Sequence, residues 1–173
     1  MAEIEVKPEH ATDPYTRGVG ILVGVVGILL SVVTIASHRA HTDAVITRTE
    51  SNDQWAFYQA KKIRENTTDV ALTLLRTLES DAAKAEATTR KLESARDKYS
   101  DDAKEIMKEA QAKDAEQKIE ERRALRFDIG EGLLELGLVL CSLFFLARKA
   151  FFPAFGVLAG ILGTAMGIWG WML

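Results

Sequence analysis

Uncharged and densely charged stretches divide this chain into sharply different zones. From Gly18 to Ser37 twenty consecutive residues carry no charge. At about 1.5 Å of rise per residue, such a run matches the roughly 30 Å hydrocarbon core of a bilayer. The pattern predicts a membrane-spanning helix over 18–37. Two further apolar stretches, 127–147 and 151–173, are separated by a short linker containing Arg148 and Lys149, and Pro153 suits the first turn of a last helix. They predict a second and a third spanning helix.

The zone between, 38–126, is polar but equally regular. No glycine occurs between Gly27 and Gly130, and no proline between Pro14 and Pro153, so the commonest helix breakers are missing. Alternating steps of four and three from Ala71 visit Leu75, Leu78, Ala82, Ala85, Thr89, Leu92, Arg96, Tyr99, Ala103, Ile106 and Ala110. That is the spacing of a coiled-coil seam. A segment that leaves the membrane after one helix and re-enters for the next must reverse, and a helical hairpin is the simplest way. Length matching puts the bend at Ser80–Asp81, whereas capping chemistry puts it at Tyr99–Asp102, where Ser100 precedes two acids. Ser51-Asn52-Asp53-Gln54 has the form of a capping box and predicts a helix start near residue 50. The fold class is therefore all-α: three transmembrane helices with a long charged helical hairpin or coiled coil between the first and second. Residues 1–17 form an acidic tail expected to be disordered.

Two features within the apolar runs stand out. Gly156, Gly160, Gly163, Gly167 and Gly170 fall along one face of the last helix, and Gly20, Gly24, Gly27, Ser31 and Thr34 repeat the pattern in the first. Small residues at this spacing let helix backbones approach closely. The stripes meet either each other within one chain or copies in neighbouring chains, and contact between copies is the favoured expectation. In the second run only Leu136–Ala147 lack charge, about 18 Å of helix, too short to cross. Glu135 then sits in or near hydrocarbon, with Asp128 and Glu131 on the same face. Submerged carboxylates usually face a bundle interior or wet cavity, which makes Glu131 and Glu135 candidate intramembrane ionisable sites. The alternative is that Glu131 lies at the interface and Glu135 pairs with Arg39 or Arg126.

Composition narrows the function. Residues 38–126 hold 18 basic and 18 acidic side chains, so the segment has no net charge and offers no basic nucleic-acid surface. The single cysteine, Cys141, supplies neither a disulfide nor a thiol pair. His38 and His41 with Asp43 lack a convincing third metal ligand. A phosphate-binding glycine loop, a nucleophile elbow and a metal-binding HExxH are all missing, so the expectation is a non-enzyme with no cofactor, no metal and no identifiable small-molecule substrate.

The run from Ser51 through Trp55, Phe57 and Tyr58 to Lys61, and the later stretch from Arg126-Phe127-Asp128 to Ser142, resemble an uncharacterised bacterial membrane-protein family, domain of unknown function 4337. The resemblance covers about two thirds of the chain. It implies a multi-pass protein with a helical polar portion and supplies no reaction or ligand. Within the motif, Trp55, Phe57, Tyr58 and Lys61 form either a packing cluster or a partner-binding patch.

Basic residues near the membrane ends number four on the N-terminal side (Lys7, Arg17, Arg148, Lys149) and seven on the other. Because the long segment exceeds the length over which this bias is counted, the short Arg148–Lys149 loop decides. It favours a cytoplasmic N-terminus, with the hairpin outside the cytoplasm. The expected protein is a homo-oligomeric scaffold in the cell (inner) membrane, in contact with the lipid bilayer. The alternatives are an oligomeric channel or proton/ion conductor using Glu135 and Glu131, and an accessory subunit of a larger complex.

Overall fold

The structure, a computed structural model, describes residues 13–78 and 82–173. Among the described residues the chain forms three α-helices and no strand: α1 (Pro14–Leu78), α2 (Ala82–Ala147) and α3 (Phe151–Trp171). Each contains a stretch long and apolar enough to cross a membrane. The tail acids Glu3, Glu5 and Glu9, the basic Lys7 and the bend expected at Ser80–Asp81 lie outside the described residues.

Helix α1 begins at Pro14, so Tyr15, Thr16 and Arg17, expected in the tail, are helical. Proline tolerates this place because a first-turn N–H has no partner inside the helix. The two interior start signals do not break the helices. Ser51–Gln54 lies within α1 and Tyr99–Asp102 within α2. Mid-helix N–H groups are already bonded to carbonyls four residues back, so these polar side chains turn to tertiary partners instead. Ser51 Oγ donates to Asp114, and Asp102 accepts from Lys61 at 2.6 Å.

The chain divides into two compact units, one made of residues up to His41 with Arg122–Leu173, the other of Thr42–Glu121. In the second unit, side chains of α1 meet side chains of α2 in descending order. Glu50 pairs with Lys113 at 2.8 Å, Lys61 with Asp102, and Arg76 with Glu93 at 2.6 Å. The segments are thus antiparallel. Ala85, Thr89, Leu92, Arg96, Tyr99, Ala103, Ile106 and Ala110 are all buried or half-buried, whereas Leu78 is exposed. Lys113 bridges Glu50 of α1 at 2.8 Å and Glu116, one turn further along α2, at 2.9 Å.

In the apolar unit, Phe127, Gly130, Leu134, Gly137, Cys141 and Phe144 recur on α2 at steps of three and four, and all are buried. All but Phe144, whose ring meets Tyr15 of α1, face the glycines of α3. A Cβ on Gly163 would stand 2.7 Å from the Gly130 carbonyl oxygen, and one on Gly137 would stand 2.8 Å from that of Gly156. The α2 and α3 backbones therefore touch at two places, which only glycine allows. Gly167 and Gly160 admit Val33 and Val26 of α1, at 3.0 and 3.6 Å from where a Cβ would be.

Between α2 and α3, Arg148 adopts a left-handed conformation with φ of 53°. Its N–H bonds back to the Phe144 carbonyl at 2.8 Å, closing α2 with a terminal turn that glycine usually provides. Its Nη1 reaches the Thr16 hydroxyl of α1 at 3.4 Å.

Candidate functional site

The acid row of α2 sits beside the buried stripe rather than within it. Leu134 takes the fully buried position, so Asp128 and Glu131, one step round the helix, are half-buried against α1. There they meet a row of polar residues. Thr34 Oγ1 donates to Glu131 at 2.8 Å, and Ser37 Oγ donates to Asp128 at 2.8 Å. His41 Nε2 lies 2.8 and 3.0 Å from the two Asp128 oxygens, an ion pair when the ring is protonated. Three successive turns of α1 thus face two acids of α2 in register. This ladder can hold the two helices in one antiparallel alignment and satisfy carboxylates that would otherwise lack partners.

The ladder stops before Glu135. Its side chain is exposed on the outside of the three-helix unit, contrary to the expectation of an inward-facing carboxyl. The phase of the helix causes this, because burial falls on Leu134 and Gly137. Among the described residues no ion pair reaches Glu135. Arg126, proposed as its partner, instead stacks its guanidinium 4.3 Å from the Trp169 ring centroid.

The two glycine stripes differ in the same way. All five glycines of α3 are buried within the chain, so this stripe does not wait for a neighbour as expected. On α1, a Cβ at Gly20, Gly24 or Gly27 would meet nothing within 4 Å, and Ser31 is exposed with its hydroxyl bonded to the Gly27 carbonyl at 3.0 Å. Thr34 is turned to Glu131. Sequence reasoning missed Gly130 and Gly137, which complete the α3 stripe. Their seven-residue spacing was the available signal, but two glycines make a weaker pattern than five.

In the polar unit the aromatic motif turns inward, except at one residue. Trp55 Nε1 donates to Asp114 at 3.1 Å, Trp55 and Tyr58 stack edge to face at 5.6 Å, and Lys61 Nζ lies 5.8 Å from the Tyr99 centroid. Phe57 alone is exposed, at 60%. Hydrogen bonds from Ser51 and Trp55 hold the Asp114 carboxyl below the usual carboxylate range, and the bond from Lys61 does the same for Asp102. No group of three or more His, Cys, Asp or Glu side chains able to hold a metal occurs among the described residues. His41 is committed to Asp128 rather than to Asp43.

A family model described as Domain of unknown function (DUF4337) matches residues 15–173, which takes in both units and all three helices. The chain belongs to this family. No curated protein and no solved structure matches the DUF4337 chain. The family match spans the ladder, the glycine contacts and the aromatic cluster.

Proposed function

We propose that this DUF4337 protein is a non-enzymatic, homo-oligomeric scaffold of the inner membrane. In this reading its three apolar stretches lie in the bilayer, its N-terminus is cytoplasmic, and residues 38–126 form a coiled-coil hairpin outside the cytoplasm. The observation that carries the reading is the contrast between the two glycine stripes. The α3 stripe is filled within the chain, while that of α1 is open at Gly20, Gly24 and Gly27, beside a helix whose Glu135 has no ion-pair partner among the described residues. Small residues facing lipid gain nothing from being small, so an open stripe favours contact with another helix. An unpaired carboxyl at membrane depth costs roughly 2.5–3.5 kcal/mol on insertion scales, and a neighbouring chain that accepts its proton or supplies a donor removes that cost.

The test is the mass of the protein in nanodiscs. More than one copy per disc is expected for the natural chain, and dissociation for a Gly24→Leu, Gly27→Leu double variant that keeps its helicity. A natural chain that stays monomeric defeats the proposal.

The exposed position of Glu135 favours one second reading, an oligomeric channel in which this carboxyl lines the pathway. Reconstituted liposomes decide it: proton or cation flux that is lost in Glu135→Gln supports conduction, and flux equal in both removes it.

A further inference from the structure

The outward face of α1 in the polar unit carries a run of exposed apolar side chains. Ile46, Ala56, Ala60, Ile63, Val70 and Leu74 are exposed along it, Ile63 by 64% and Val70 by 59%. Thr49, Asp53 and Thr67 fill the places between, and Thr77 extends the row by one step. Together these ten positions step by three and four without interruption and carry one charge, in a segment where about 40% of residues are charged. Each threonine hydroxyl bonds to its own helix, to the carbonyls of Val45, Ile63 and Thr73 at 2.8–2.9 Å. Each hydroxyl thus has its donor satisfied within its own helix, and the threonines can offer methyl groups to a neighbour. The exposed side of α2 is unlike this, with Arg90, Asp97, Asp101, Lys104, Lys108 and Lys118.

We infer that this face of α1 is a second coiled-coil seam, and that its occupant is the same face of α1 from a second copy, aligned parallel. The inference rests on the membrane reading above, because copies in one bilayer share an orientation and their α1 helices then leave it side by side in the same direction. The flanks of the seam fit a parallel copy. One side carries Asn52, Gln59, Asn66 and Thr73, the other Glu50, Phe57, Arg64 and Ala71. In a parallel pair Asn52 meets Phe57 and Gln59 meets Arg64, so no like charges are opposed along the flanks, and the only like charges brought together are the two copies of Asp53 in the seam. Six apolar positions spread over some eight turns suit helices that already share a membrane and need little further affinity. Asp53 is the one ill-suited layer. A single polar residue at such a position costs stability and fixes register.

Cysteine cross-linking of the full chain in native membranes tests this, in a Cys141→Ala background. Ala56→Cys and Ala60→Cys are expected to oxidise to dimers about tenfold more than Lys108→Cys on the charged side of α2. Ile63→Asp should abolish the Ala56→Cys cross-link, and Asp53→Leu should increase it. Seam cysteines no more reactive than Lys108→Cys would overturn the inference. If the nanodisc mass still shows several copies, that failure leaves the oligomer reading intact; a monomeric mass with an unreactive seam defeats both.

Discussion

Gly130 and Gly163 meet where two helix backbones touch, and a side chain at either one has nowhere to go. A Cβ on Gly163 would press on the Gly130 carbonyl at 2.7 Å and on Leu134 Cγ at 2.9 Å. Leucine there must separate α2 from α3, and overpacking of this kind costs on the order of 3 kcal/mol. Gly163→Leu is therefore expected to lower the denaturation midpoint in detergent, while Gly24→Leu, in open space within the monomer, leaves that midpoint unchanged. Equal losses in the two would contradict the division between an internal and an external stripe. Glu135 shows how one residue's phase outranks its chemistry. The sequence marks it as costly in hydrocarbon, yet whether it faces in or out depends on which neighbouring position is buried, and the row from Phe127 to Phe144 decides that.

Helices were legible at the scale of elements because their causes are local: missing glycine and proline over about a hundred residues, and uncharged runs of spanning length. Their interior boundaries were less so. Ser51 and Ser100 carry capping chemistry, but a cap forms only where backbone N–H groups are left free, and here the helix runs on and Ser51 bonds to Asp114. The polar ladder was half legible. Asp128 and Glu131 declared themselves, whereas Thr34 appeared only as a small residue and Ser37 as the end of an apolar run, because pairing across helices depends on a register that neither helix encodes alone. The cross-helix bonds of the polar unit also set its response to acid. Asp102 and Asp114 are held below their usual range in the folded chain, so they stabilise it above that range and the contribution fades as pH falls through their lowered values. As pH falls through the lowered value of Asp114, Trp55 is expected to lose its carboxylate partner. In a Trp169→Phe, Trp171→Phe background its fluorescence should shift in acid, and Asp114→Asn should flatten that response. An unchanged titration in Asp114→Asn would mean that another group controls Trp55.

For the whole molecule, the three-residue connection from Arg148 to Ala150, together with the glycine contacts, ties the second and third apolar helices into one piece. This bears on biogenesis. A translocon judging α2 alone meets a span whose uncharged part is only twelve residues, preceded by Glu135, Glu131 and Asp128, so the acidic end of that span weakens its retention. Followed at once by α3, whose glycines fit against its own, the same stretch has a partner that can accompany it into lipid. A chain ended after Ala147 should therefore leave α2 more accessible to protease or alkali extraction than the 173-residue chain does; α3 would serve as the insertion chaperone of the helix before it.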